Sequence, residues 1–215
     1  MATADILFLA AEPREFTGTL KFWQDVRPLN LSVHWARSGV RKGRPVIAVA
    51  NGAGWERARL AAESAPFARL CNIGFCGALD PTLKIADIVV SSSHLPVKSD
   101  RPYVAGRVVS VPQIAGSAQE KQRLHSEGYI AVEMEAAGLA GRQFHCIKAV
   151  SDLAGETFAN NFNAALLPNG KFSTARVLTS ALGDPLRRFP ELIRLARRTA
   201  AASQSLGEFL DACQF

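Results

Sequence analysis

Two apolar runs in this chain end in acidic residues. Ile130-Ala131-Val132 leads into Glu133-Met134-Glu135-Ala136-Ala137, and Ala149-Val150-Ser151 leads into Asp152. A carboxylate at the end of a buried strand is costly unless something engages it. Two such strand ends, one helix apart, are how an open α/β sheet builds a ligand site. The pair points to an enzyme, and to acid–base chemistry on a small ligand. Asp152, partly desolvated after a β-branched run, has the character of a general acid. Its competing use is as the N-cap of a following helix. Glu133 and Glu135 are two apart, so on a strand they share one face, with Val132 and Met134 on the other. A carboxylate accepting from two neighbouring hydroxyls suits a ribose. A third acid, Glu15, follows an apolar run in Ala11-Glu12-Pro13-Arg14-Glu15-Phe16. With Pro13 in a first helical turn, Glu12 and Glu15 lie near its positive end. The alternative for Glu15 is a general base at the sheet edge.

Other chemistries lack their residues. His34, His94, His125 and His145 have no metal-ligand spacing, and no Ser sits in a G-x-S-x-G elbow. Gly52-Ala53-Gly54 and Gly74-Phe75-Cys76-Gly77 follow apolar runs and allow a backbone to approach a ligand closely. Neither completes a dinucleotide or P-loop fingerprint. No metal and no organic cofactor is expected.

The elements that must position these groups alternate along the chain. Strands are expected over residues 5–11, 31–37, 45–51, 70–74, 87–92, 104–111, 129–133 and 145–151. Helices are expected from Gly52 to about Ala68, over 117–125 with capping-box spacing in Ser117-Ala118-Gln119-Glu120, and over 135–143. The remainder reads as helical, broken at Pro168-Asn169-Gly170 and Gly183-Asp184-Pro185. Such alternation predicts an α/β domain whose central sheet is covered on both faces.

At 215 residues, 48% of them hydrophobic, the chain suits one domain, 1–215, with a sizeable core. No apolar run reaches the roughly 18 residues of a membrane span. The N-terminal residues read as neither a signal nor an anchor, so a cytoplasmic protein with no membrane partner is expected. Cys71, Cys76, Cys146 and Cys213 are scattered and read as reduced core thiols. The net charge of +6 invites a nucleic-acid reading. However, Arg187, Arg188, Arg194, Arg197 and Arg198 are not interleaved with aromatics in the way a nucleic-acid surface would be. They read as a solvated helix face, and no nucleic-acid partner is expected.

Taken in order, the segments resemble the nucleoside phosphorylase/nucleosidase superfamily. The nearest resemblance is to its methylthioadenosine/S-adenosylhomocysteine nucleosidases and to hopanoid-associated phosphorylase-like proteins. The residues that carry it are 11–15, Asn51-Gly52-Ala53-Gly54, the run Asn72 to Pro81, Leu83 to Val90, Ala131 to Ala136, and Ser151-Asp152. The resemblance implies a three-layer sandwich around a twisted mixed sheet. It implies Asp152 as the acid that protonates the leaving purine, Glu135 as the ribose anchor with Met134 against the sugar, and Glu15 as the base that activates water. It places Glu133, Ser151, Phe75, Cys76, Gly77, Gln113 and Ile114 at the substrate. The partner is then a purine nucleoside, and the assembly a homo-oligomer, a dimer or larger, with Trp35, Trp55 and the C-terminal helix as interface candidates by analogy.

Phosphorylases of this superfamily carry an arginine before the glycine motif to bind phosphate. Here that stretch is Asn72-Ile73-Gly74-Phe75, without the Arg or the hydroxyl residue, which favours hydrolysis. Arg14 is the nearby cation that would restore a phosphate site. Phe75 replaces a small residue, and Gln113 stands where an aromatic often covers the base. The expected activity is therefore a purine nucleoside N-ribosyl hydrolase acting on a 5′-substituted nucleoside. A phosphorylase and a purine-binding protein without turnover stand as alternatives.

Overall fold

Alternate residues of the first strand face opposite layers of the protein. In β1 (Ala4–Ala10), Ile6, Phe8 and Ala10 enter one core, and Leu7 and Leu9 enter another. This period of two is what a sheet buried on both faces requires. The structure is a computed structural model that describes residues 3–215.

The strands are β1, β2 (Gln24–Pro28), β3 (Trp35–Arg41), β4 (Arg44–Ala50), β5 (Phe67–Asn72), β6 (Phe75–Ala78), β7 (Ile88–Ser91), β8 (Val104–Gly106), β9 (Val108–Ser110), β10 (Ala131–Glu133) and β11 (His145–Asp152). The helices are α1 (Trp55–Ala62), α2 (Ala118–Ser126), α3 (Phe162–Ala165), α4 (Thr174–Ala181) and α5 (Pro185–Ala212). The sheet runs β2-β3-β4-β1-β5-β11-β6-β10-β9, with β7 also pairing β11 and β8. It is mixed: β4–β1, β1–β5, β5–β11, β11–β6, β10–β9 and β7–β8 are parallel pairs, while β2–β3, β3–β4, β6–β10 and β7–β11 are antiparallel. On one face, Ala202, Leu206, Phe209 and Leu210 of α5 cover Phe8, Ala48, Cys71 and Ile147. On the other, Ala58, Ala61 and Ala62 of α1 cover Leu7, Leu9, Val49 and Leu70. The expected three-layer α/β sandwich is what the chain forms.

β11 is the strand on which the site depends. Its first residues pair with β5, and its later ones with β6. β10 runs antiparallel to β6, Val132 facing Gly77. That direction carries Glu133 back toward the middle of β11 instead of toward its end.

Several expected elements move. The helix expected over 135–143 is a single 3-10 turn, Ala136–Leu139. Gly138 lies so close to α1 that a Cβ there would sit 2.0 Å from the Trp55 carbonyl oxygen, and Gly141 has a positive φ. The helix expected to reach Ala68 stops at Ala62, and β5 begins just after Pro66. The strand expected over 31–37 begins at Trp35 and extends to Arg41, and 104–111 divides into β8 and β9. β2 and β6 were not expected as strands. β6 carries the second half of the glycine segment. All four cysteines are free and buried, and burial pushes the Cys71 and Cys76 thiols well up.

α5 crosses the segment before the turn Thr19–Phe22 at backbone contact. A Cβ on Gly207 would sit 2.3 Å from the carbonyl carbon of Gly18. Gly207→Ala is therefore expected to lower stability by about 1–3 kcal/mol through overpacking. Helix propensity alone predicts a gain of roughly 1 kcal/mol. A urea midpoint at or above the parent's would show that α5 slides to relieve the contact.

Candidate active site

Glu15 sits in a 3-10 turn, Pro13–Phe16, immediately after β1. Its Oε2 accepts from the Glu12 backbone N–H at 2.7 Å, and its Oε1 from the Phe75 N–H at 2.8 Å. The second bond spans 60 residues and ties the first strand to the turn between β5 and β6. Gly74 makes that approach possible. Its φ is +128°, and a Cβ there would meet Glu15 Oε1 at 2.3 Å. Glu15 caps its own turn, and it also lines the cavity. Burial raises its carboxyl above the ordinary range, an effect that the Lys148 ammonium and the two N–H donors only partly offset.

Lys148 is fully buried in mid-β11. Its Nζ lies 3.2 Å from Glu133 Oε2 and 3.2 Å from Glu135 Oε2, and donates to Asn72 Oδ1 and the Ile73 carbonyl. The two acids divide unequally around this one cation. Glu133 also accepts from the Glu135 and Ala136 N–H groups and from Asn72 Nδ2. These donors and Lys148 outweigh its burial and hold its carboxyl low. Glu135 has fewer donors. Burial, with Glu133 and Glu15 nearby, pushes it up to about 7. Its Oε1 reaches the Gly54 N–H at 3.4 Å, which draws the Asn51-Gly52-Ala53-Gly54 segment to the site. Gly52 itself serves the chain and not a ligand: a Cβ there would collide with the Asn169 carbonyl and Gly170.

Asp152 ends β11, and an ammonium is its closest partner. Lys121 of α2, fully buried, donates to Asp152 Oδ2 at 2.5 Å and to the Leu153 carbonyl at 2.8 Å. Ser151 Oγ lies 2.9 Å from Asp152 Oδ1 and 3.2 Å from the Cys76 carbonyl oxygen. Gly77 is required opposite, because a Cβ there would stand 2.8 Å from Asp152 Oδ2. The capping residue expected at Ser117 is present, its Oγ accepting from the Glu120 N–H. That cap fixes the turn that carries Lys121.

These groups line one cavity of about 600 Å³. Glu15, Phe75, Cys76, Gly77, Gln113, Ile114, Glu133, Met134, Glu135, Ser151 and Asp152, every residue expected at the site, border it. Ile114 is pinned on both sides of its peptide by Asn163, which donates to its carbonyl and accepts from its N–H. Glu133 reaches the cavity with a side chain already committed to backbone donors and Lys148. Two cations, Lys148 and Lys121, had not been expected. A cation inside an otherwise apolar run is the signal for Lys148, since a buried ammonium needs acidic partners. Lys121 reads in sequence as an ordinary helical lysine. The far wall was also not expected: Phe158, Phe162, Phe172, Val177, Leu178, Leu192 and Leu195 come from α3–α5 and the segment before them. Phe158 also lines the cavity, its ring centroid 5.3 Å from the Lys121 ammonium.

Solved structures share this architecture. A 5′-methylthioadenosine/S-adenosylhomocysteine nucleosidase from S. pneumoniae, bound to a transition-state inhibitor, aligns at a TM-score of 0.66 and 14% identity over 96% of each chain. The corresponding nucleosidase of Helicobacter pylori aligns at 0.66 and 18% identity, over 98% of this chain and 97% of that one. Futalosine hydrolase from Helicobacter pylori aligns at 0.66 and 18%, over 96% and 95%. The fold is that of these nucleosidases. No family model and no curated protein sequence matches the chain.

Two predictions test the charge arrangement. Lys148→Met leaves Glu133 and Glu135 buried without their cation, and should cost about 3–5 kcal/mol in urea unfolding. A loss below about 1 kcal/mol would mean that the acids find other partners. The second concerns pH. Glu135 holds its proton up to about 7 in the folded protein, against 4.5 ordinarily. Its contribution to stability is then fully present below about 4.5 and is lost as pH rises through about 7. The stability difference between the parent and Glu135→Gln should shift against the parent from pH 5 to 8. A constant difference over that span would remove Glu135 as the titrating group.

Proposed function

We propose that the protein hydrolyses the N-glycosidic bond of a 5′-substituted purine nucleoside. The observation that carries this reading is the convergence of three separately held acids, Glu15, Glu135 and Asp152, on one cavity. N-glycosidic cleavage builds positive charge on the sugar and negative charge on the departing base. It therefore needs carboxylates at the sugar and a proton at the base.

In this reading Asp152 faces the purine and delivers a proton to its ring nitrogen as the C–N bond breaks. Lys121, hydrogen-bonded to Asp152 Oδ2, holds that carboxyl in place. Glu135 accepts from the ribose hydroxyls, and these bonds strengthen as the ring becomes cationic. Met134, held beside it, packs on the sugar. Glu15 takes the proton of the attacking water, burial having raised its carboxyl above the ordinary range and so made it a stronger base. Phe158 offers an aromatic face to the base, and the apolar wall of Phe162, Phe172 and Leu192 receives the 5′ substituent.

Water is favoured over phosphate by charge. The floor holds Glu15, Glu133 and Glu135 against one ammonium, and that ammonium is engaged by two of them. A phosphate dianion would enter a region already short of positive donors. Arg14 borders the cavity, but its Nε is 2.5 Å from Glu12. A phosphorylase is the second reading, resting on Arg14 alone. A homo-oligomer, a dimer or larger, belongs to the same reading. Trp55, 44% exposed, is the better interface candidate, because Trp35 is stacked on Phe16.

The test follows free base from methylthioadenosine, S-adenosylhomocysteine, adenosine and inosine, with and without phosphate. Base release independent of phosphate is expected. Release only with phosphate would assign the reaction to a phosphorylase, and binding without release would assign a purine-binding protein. Asp152→Asn should keep the thermal transition and lower turnover by about 100-fold or more. Unchanged turnover in that variant would take Asp152 out of the chemistry.

A further inference from the structure

The basic C-terminal cluster shares its surface with exposed aliphatic side chains. α4 and the start of α5 form a hairpin joined through Gly183-Asp184. On it, Leu182 is 67% exposed, Leu186 88% and Ile193 55%. Leu178, one turn before Leu182, is 46% exposed and also lines the cavity. A single exposed leucine is ordinary, whereas four large aliphatics on one hairpin make a patch that marks contact with something apolar.

The neighbouring charges say what that contact is. Arg187, Arg194 and Arg197 are exposed and form no ion pair among the described residues. Arg198 and Arg188 are engaged elsewhere, with Glu156 and the Ser180 carbonyl oxygen. The one acid within the α5 segment of the hairpin, Glu191, is buried and bonded to Asn160. Leu186 and Ile193 are seven residues apart and Arg197 four further on, so they lie along one stripe of the helix. A second copy of this chain would bring like-charged arginines together. A polynucleotide would find no exposed aromatic on the hairpin to stack on.

We propose that the α4–α5 hairpin seats the protein on an anionic lipid surface. Leucine and isoleucine enter the boundary between headgroups and acyl chains, and the arginines meet the lipid phosphates. No helix among the described residues is long and apolar enough to cross a membrane, so the attachment is peripheral. It also turns the rim of the cavity at Thr174, Leu178 and Ala196 toward the headgroups. The inference is independent of which bond the cavity cleaves.

Vesicle co-sedimentation of the full chain tests it. The protein should sediment with mixed phosphatidylcholine–phosphatidylglycerol vesicles at low salt and stay in solution with phosphatidylcholine alone. Leu182→Glu/Leu186→Glu, and separately Arg187→Gln/Arg194→Gln/Arg197→Gln, should each weaken partitioning by about 10-fold or more. Both variants should keep the thermal transition and the solution activity of the parent, since none of these residues lines the cavity. Absence of sedimentation with the anionic vesicles, or equal sedimentation of parent and variants, would overturn the proposal. An oligomeric parent that becomes monomeric on Leu182→Glu/Leu186→Glu would also overturn it, by assigning the face to a second copy.

Discussion

One ammonium shared among several buried carboxylates organises this protein's centre. Lys148 lies in the middle of the strand that joins the two halves of the sheet, and Glu133 and Glu135 both reach it from the end of β10. Removing the ammonium would leave the carboxylates uncompensated in a low-dielectric interior. The arrangement therefore fixes how β10 meets β11, and with it the position of the 3-10 turn that follows. It also leaves the cluster with more negative groups than positive ones. Glu133 takes most of the available donors, and Glu135 carries the resulting strain as a raised pKa. Of these two acids, Glu135 has the fewer partners and the spare hydrogen-bonding capacity toward the cavity.

A second buried ion pair stands at the C-terminal end of the same strand. Lys121 holds Asp152 from α2, whereas Lys148 belongs to the strand itself. Their jobs differ. Lys148 compensates acids that are fixed by backbone donors, whereas Lys121 backs an acid whose other oxygen meets only a serine hydroxyl. Gly74, just before the neighbouring strand β6, and Gly77, within it, are the counterpart of this arrangement. Each gives up a side chain so that a carboxylate can approach the backbone. A glycine motif that looks ready for phosphate is thus used to admit carboxylate side chains of the protein itself.

The sequence made the acids legible and the cations not. Strand-end carboxylates stand out because burial penalises them, and all of the expected residues border the cavity. Lys148 is harder to read because one charged residue barely disturbs the apolar stretch from Cys146 to Val150, and its two acidic partners lie 13 and 15 residues upstream on another element. The helix expected over 135–143 failed for a tertiary reason: Gly138 is needed for contact with α1, and local periodicity carries no record of that contact. The wall from Phe158 to Leu195 was illegible because its side chains come from short helices. Their inward faces are set by packing against α5, not by a pattern within any one of them. The sandwich itself was readable, since the alternation of strand and helix extends over most of the chain.

The C-terminal segment has two duties that compete for the same side chains. Late in α5, Leu206, Phe209 and Leu210 are spent on the sheet, and the helix there behaves as a core element. Early in α5 and in α4, Leu192, Leu195 and Val177 face the cavity instead, and no sheet covers them. A helix cannot turn apolar side chains toward an open cavity without bringing its flanking positions to the rim. Leu178 is both wall and surface for that reason. The aliphatics beyond it at Leu182, Leu186 and Ile193 are a different matter, because the cavity does not need them. Their exposure opposes solubility, and the arginines among them offset it only in water. A surface of mixed aliphatic and cationic side chains is stable against aggregation when free, and is complementary to an interface that is itself apolar beneath and anionic above.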